Sequence, residues 1–196
     1  YDELATRHKM TDLCDAIIEL KNRRGIEFRW TCEFRVAPAL KKDLVVKMKE
    51  AGCSYIGVGI ESASQTVLDS MKKRITVEQI IQCVELLEEV NLGFQGNFIF
   101  GDPAETKETI DESMAFYKKY CKDLLTFFGL VTPFPGSSLM PYCLDNKLVE
   151  NKQEFYTKLK TFGFKEFNMT SMSDADFYNY YDDLFENYGE ISNHAE

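Results

Sequence analysis

The residues of this chain best suited to chemistry stand at the ends of short apolar alternations. Glu33 and Arg35 close the stretch Trp30-Thr-Cys-Glu-Phe-Arg35, and Glu61 and Ser62 close Tyr55-Ile-Gly-Val-Gly-Ile-Glu-Ser62. Gly101 to Glu105 follows Phe98-Ile-Phe, and Thr132 and Pro133 end a fourth apolar run. Two carboxylates, Glu33 and Glu61, could act as the acid–base pair of a metal-independent hydrolase or lyase. A helix cap explains Glu61 less well, and Glu33 and Arg35 could simply pair with each other. Ser62 and Ser64 also suit the cap of a following helix, and Glu105 suits the positive end of the helix after it.

Two alternating periodicities position these residues. Period-two stretches predict strands over 27–35, 54–60, 94–101 and 124–132. Between them run helical stripes: Leu40, Leu44, Val45 and Met48; Leu68 and Met71; Ile80, Ile81, Val84, Leu87 and Val90; Ile110, Met114, Tyr117 and Cys121. Met10 to Leu20 predicts a helix ahead of the first strand. Thr76 and Gln79 have the spacing of a capping box, in which a hydroxyl and an amide satisfy orphan backbone amides. The order is βαβαβαβ, so the sheet should be parallel. Pro133-Phe-Pro-Gly-Ser137 is a turn cluster, and Asp174 to Tyr188 predicts one more helix, capped by Ser173 or Asp174.

The strands are two-faced. Phe28, Trp30, Cys32 and Phe34 oppose Arg29, Thr31, Glu33 and Arg35; Ile56, Val58 and Ile60 oppose Tyr55, Gly57, Gly59 and Glu61. In the third, Phe94, Phe98 and Phe100 oppose Gln95, Asn97, Ile99 and Gly101. A parallel sheet covered by helices on both faces would be apolar throughout. One polar, glycine-bearing face predicts helices outside and a partly hollow lumen inside, with chemistry at the C-terminal strand ends.

Composition narrows the function classes. The 196 residues are 44% hydrophobic and 28% charged, as in a globular domain with a sizeable core, and no apolar run is long enough to span a bilayer. A net charge of −9 argues against a nucleic-acid partner. Cys14, Cys32, Cys53, Cys83, Cys121 and Cys143 form no CxxC or CxxxC cluster, so buried free thiols in a reducing cytoplasm are expected. The chain starts at Tyr1 inside a polar segment, as a piece of a longer protein would.

Six segments together are familiar in this order: Trp30 to Arg35, Met48-Lys-Glu-Ala-Gly-Cys53, Gly59-Ile-Glu-Ser62, Met71-Lys-Lys73, Phe98-Ile-Phe-Gly-Asp-Pro-Ala-Glu-Thr106 and Pro133 to Ser137. They resemble the core of a radical S-adenosylmethionine (radical SAM) enzyme. The most similar branch often carries an upstream cobalamin-binding domain and includes the anaerobic magnesium-protoporphyrin monomethyl ester cyclases. The resemblance covers residues 1–140 well and the tail loosely. It implies an α/β fold, a partial parallel β/α barrel of radical SAM type. The strands here would be the third to sixth of six, and Tyr1-Asp-Glu3 would be the loop after the second. Residues 1–136 would form the barrel part, and 137–196 a helical C-terminal extension packed on it.

The implied cofactors are S-adenosylmethionine and a 4Fe-4S cluster, with the use of cobalamin through an upstream domain left open. Cofactor contacts would fall on Glu33, Arg35, Gly57, Gly59, Glu61 and Ser62, then on Ile99 and Gly101, and on Val131 and Thr132. The family's CxxxCxxC loop, which holds the cluster, is absent from this sequence. The resemblance therefore implies a C-terminal fragment, inactive alone, that needs the N-terminal part of the same protein. The parent would generate a 5′-deoxyadenosyl radical and act on an unknown small molecule. A non-catalytic binding module remains an alternative, with Tyr178, Tyr180, Tyr181, Phe185 and Tyr188 as an interface. The favoured reading of that aromatic stripe is a cover over the open edge of the barrel.

Overall fold

The computed structural model describes residues 7–36, 40–158 and 167–188. The expected loop at Tyr1 to Glu3 lies outside them. Four strands, β1 (Trp30–Arg35), β2 (Cys53–Glu61), β3 (Gly93–Phe100) and β4 (Thr126–Leu130), pair in the order β1-β2-β3-β4, every neighbour parallel. Helix α1 (Arg7–Arg24) precedes the sheet, α2 (Lys42–Glu50), α3 (Gln65–Ser70), α4 (Val77–Val90) and α5 (Lys107–Tyr120) fill the crossovers, and α6 (Leu139–Asp145), α7 (Lys152–Lys158) and α8 (Asp174–Tyr188) follow. This is a partial parallel β/α barrel with a helical C-terminal extension. Among the described residues no helix is long and apolar enough to cross a membrane.

Local chemistry sets the helix ends. The capping box at α4 is formed: Gln79 N–H donates to Thr76 Oγ1 at 3.2 Å, and Thr76 N–H to Gln79 Oε1 at 3.0 Å. Ser173 caps α8 by accepting from Asp176 N–H at 3.1 Å. Two expected caps are not there. Ser64 occupies the N-cap position of α3 without a side-chain cap bond, and α5 is capped by Thr106 and Thr109 rather than by Glu105. The first and fourth strands are shorter than the 27–35 and 124–132 expected. Phe28 lies before the ladder begins and is exposed, with the Lys21 ammonium 5.9 Å from its ring centre.

The apolar strand faces pack outward against helices. Ile56, Val58, Ile60, Phe94, Phe98, Phe100 and Phe128 are buried, in one cluster with Leu44, Met48, Ile80, Leu87 and Ile110. Phe98, Phe128 and Tyr117 meet in edge-on or tilted contacts with ring centres 5.3–6.5 Å apart. Most residues of the opposite faces are half-buried or exposed, from Glu33 and Arg35 to Asn97 and Ile99, while Gly57 is buried.

The last helix joins this same core. Phe177, Tyr181 and Leu184 of α8 are buried beside Phe100 and Phe128. Val131 N–H donates to Phe100 O and Gly96 N–H to Leu125 O, so odd-numbered residues of β4 face β3. The carbonyl of Phe128 therefore points to the open edge, where the Tyr181 hydroxyl donates to it at 3.2 Å. Part of the aromatic stripe thus caps the edge strand. A second, smaller cluster of Met140, Cys143, Val149, Phe155, Phe167 and Met169 packs against Val131 and Leu139.

The loop after β3 is closed from within. Gly101 has φ of +101°, and a Cβ there would stand 3.3 Å from Cζ of Phe177. Glu105 is fully buried; its Oε2 accepts from Gly101 N–H, and its Oε1 has no partner among the described residues. Burial, offset in part by the Gly101 amide and reinforced by Asp102, pushes its carboxyl up from 4.5 to about 8. Burial thus favours the neutral form of the Glu105 carboxyl, in contrast to the helix-terminal charge expected from sequence.

Two outcomes follow. Phe177→Ala leaves a cavity in the main core and is expected to lower stability by roughly 3–5 kcal/mol, measured by urea unfolding. The raised carboxyl means that the folded chain binds more protons than the unfolded chain between about pH 4.5 and 8. Stability from Glu105 is complete below that window and falls as pH rises through it, by at most about 1.4 kcal/mol per pH unit. Glu105→Gln keeps the acceptor for Gly101 and should flatten this slope. A wild-type slope retained in the variant would contradict the assignment.

Candidate functional site

The site lies at the C-terminal strand ends, where parallel α/β sheets bind ligands. Two adjoining cavities open there. The first, of about 360 Å³, is lined by Glu33, Phe34, Arg35, Gly59, Glu61, Met71, Lys72 and Lys73. The second, of about 380 Å³, is lined by Glu61, Met71, Lys72 and Lys73 again, with Ile99, Asp102, Leu130, Val131, Thr132, Phe134 and Leu139. The first chamber is ringed by charges. Aliphatic and aromatic side chains dominate the far side of the second.

The wall they share is built on strained backbone. Glu61 ends β2 with φ of +62°, and the β2–β3 register shifts between Gly59 and Glu61. A left-handed residue at a register shift re-aims its side chain, at a cost of roughly 1–2 kcal/mol. The Glu61 carboxylate folds back over Gly59, where a Cβ would stand only 2.9 Å from Oε1. Lys73 meets it, Nζ to Oε1 at 2.6 Å, with both side chains largely buried at 17% and 16% exposure. Lys73 belongs to the turn after α3, in which Lys72 and Arg74 are also left-handed, with φ of +55° and +57°. Arg35 Nη2 donates to the Lys73 carbonyl at 2.5 Å.

Seven of the expected positions line these cavities: Glu33, Arg35, Gly59 and Glu61 the first, and Ile99, Val131 and Thr132 the second, with Glu61 common to both. At the two strand glycines the space that a Cβ would take adjoins the chain's own polar side chains. A Cβ at Gly57 would meet Glu33 Oε1 at 3.4 Å and Asn97 Nδ2 at 3.6 Å. Both strand glycines thus make room for the chain's own polar side chains. Gly101 faces Phe177 on the helix side.

Ser62 is also turned away from the cavities. Its hydroxyl is buried, 3.1 Å from Ser113 Oγ on α5, and accepts from Ser64 N–H at 3.1 Å. Among the described residues no ion pair joins Glu33 to Arg35. Glu61 is paired with Lys73, while Glu33 lines the first cavity beside it.

Sequence reasoning named Asp102 only within the segment Gly101 to Glu105, and did not single out Lys72, Lys73 or Phe134 as site residues. Met71-Lys-Lys73 was visible as a motif, but nothing in its spacing told that the turn would fold back onto Glu61. Phe134, 48% exposed at the rim of the apolar chamber, was visible only as part of a turn cluster.

Comparison with known proteins agrees with this architecture. The chain is 36% identical over 127 residues to an uncharacterized methyltransferase of Pyrococcus horikoshii, covering 65% of this chain and 27% of that protein. It is 27% identical over 173 residues to the anaerobic magnesium-protoporphyrin IX monomethyl ester cyclase of Rubrivivax gelatinosus, covering 87% and 28%. The chain thus spans little more than a quarter of the length of these relatives. Among solved structures, the radical S-adenosylmethionine methyltransferase TsrM of Kitasatospora setae, with cobalamin and a 4Fe-4S cluster bound, superposes with a TM-score of 0.56 at 19% identity over 66% of this chain and 26% of that one. Coproporphyrinogen III oxidase of Escherichia coli gives 0.54 at 14% identity over 77% and 34%. These two likenesses concern the fold. The model of the Radical SAM superfamily matches residues 3–117, more than half of the chain, and the chain belongs to that superfamily.

Proposed function

We propose that this chain is the C-terminal part of the barrel of a radical SAM enzyme and that its two-chambered cleft binds S-adenosylmethionine. The observation that carries this reading is the chemical division of the cleft. S-adenosylmethionine has a charged amino-acid end, a hydroxyl-bearing ribose and a flat adenine. A chamber ringed by Glu33, Arg35, Glu61 and Lys73 suits the charged and hydroxyl-bearing parts. A chamber walled by Ile99, Leu130, Val131 and Phe134 suits the ring. The shared wall at Glu61 and Lys73 falls where one ligand would pass between them.

The cluster that the family implies does not fit the described residues. Among them no group of three or more His, Cys, Asp or Glu is arranged to hold a metal ion. Burial pushes the thiols of Cys14 and Cys143 up to about 11 and those of Cys83 and Cys121 up to about 12, with Asp15 adding to the rise at Cys14 and Glu88 at Cys121. All four are buried in the hydrophobic clusters, separate from one another in the sequence. In our reading the cluster is held by cysteines of the N-terminal part of the same protein, and cobalamin, if used, lies upstream as well. The cluster and S-adenosylmethionine together supply the radical chemistry. This chain binds and orients the cofactor and keeps water from it. The substrate in this reading is a small molecule held on the lumen side. All six cysteines are free, which suits a reducing cytoplasm.

The full-length protein, reconstituted anaerobically with iron and sulfide, should take up a cluster and release 5′-deoxyadenosine from S-adenosylmethionine on reduction. The 196-residue chain alone should take up none. A full-length sequence without three clustered cysteines upstream, or a reconstituted protein that leaves the cofactor intact, would sink the proposal. Glu61→Gln should weaken cofactor binding by about tenfold, as the loss of a charged hydrogen-bond partner does, read by calorimetry on the full-length protein. Equal affinity would remove Glu61 from the site.

A further inference from the structure

Arg35 stands at the end of β1, yet the partner of its guanidinium lies 38 positions away in sequence. Nη2 donates to the backbone carbonyl of Lys73 at 2.5 Å. The same residue turns its ammonium onto Glu61 at 2.6 Å. Lys73 therefore takes a hydrogen bond from one strand end on its backbone and gives one to another strand end from its side chain.

The turn that carries it needs such a restraint. Lys72 and Arg74, on either side, both hold left-handed backbone, which is costly for residues with a Cβ. The amides of Met71, Lys72 and Lys73 are held by carbonyls of α3, at Val67, Asp69 and Leu68. The carbonyl side of the turn is held by Arg35. A guanidinium suits this task, because it stays protonated and its donors are fixed in a plane.

We infer that Arg35 is a positioning residue, which acts through the Lys73 carbonyl to hold the ammonium of Lys73 against Glu61 and so fixes the wall between the two chambers. This rests on the reading that the cleft binds S-adenosylmethionine. It also departs from the expectation that Arg35 itself grips the cofactor. Without Arg35 the Lys73 carbonyl turns to water, the turn loosens, and the Lys73–Glu61 contact is no longer set in advance of the ligand. Arg35 is exposed, so its removal leaves the core intact.

The test uses the full-length protein with Arg35→Ala, Arg35→Lys, Lys73→Met and the Arg35→Ala/Lys73→Met double variant. Hydrogen exchange over residues 71–75 is measured without ligand, and binding of S-adenosylhomocysteine is measured by calorimetry. Arg35→Ala should speed exchange in the turn and weaken binding, each by about tenfold, with an unchanged melting temperature. Arg35→Lys, which keeps one donor, should restore part of both. In the Lys73→Met background, Arg35→Ala should cost no further affinity, because both act through one contact. Unchanged exchange in Arg35→Ala, or two losses that multiply to about a hundredfold in the double variant, overturns the inference. A wild-type protein that does not bind S-adenosylhomocysteine overturns the reading of the cleft instead, and the exchange measurement still decides the role of Arg35.

Discussion

Four parallel strands buried on one face only are the constraint on which the rest depends. Burial of Ile56, Val58, Phe94, Phe98, Phe100 and Phe128 against helices attaches the sheet to its outer layer. On the other face the described residues are mostly polar or small, or are left partly exposed. Glu33, Arg35, Asn97 and Glu61 are among the polar ones, and Gly57 and Gly59 give their side chains room. The polar groups at the strand ends therefore stand apart from the packed face, and a ligand site can be built from them without disturbing the core.

That division explains what was legible in the sequence. Period-two alternation marked four strands, and the sorting of residues into two faces was right for Phe34, Ile56, Ile60 and Phe98 because burial follows the pleat directly. The box at Thr76 and Gln79 depends on four consecutive residues and could be read locally. Glu105 could not. Its fate as a buried acid depends on the loop closing over it and on Phe177 from a helix more than seventy residues later. Ser62 likewise looked like a cap or a ligand contact until α5 supplied Ser113. The Lys73–Glu61 contact involves three left-handed residues with side chains, Glu61, Lys72 and Arg74, which no pattern of residue types announces.

The strain is concentrated where the two chambers meet. Glu61, Lys72 and Arg74 each adopt a conformation that costs free energy, and they do so within one small region held by Arg35 and Lys73. Strained backbone persists where the surroundings over-determine it, and such places cluster at ligand sites. The carboxylate and the ammonium are presented in place before any ligand arrives, which lowers the ordering cost of binding. The rest of the barrel acts as the rigid support that makes this local arrangement affordable.

The most direct measurement of the central claim is a crystal structure of the full-length protein with S-adenosylmethionine, grown without oxygen. The account predicts the adenine against Ile99, Val131 and Phe134, and the ribose or amino-acid end at the Glu61–Lys73 wall. Cofactor bound in the cleft with its adenine among Glu33 and Arg35, or bound away from these strand ends altogether, would contradict it.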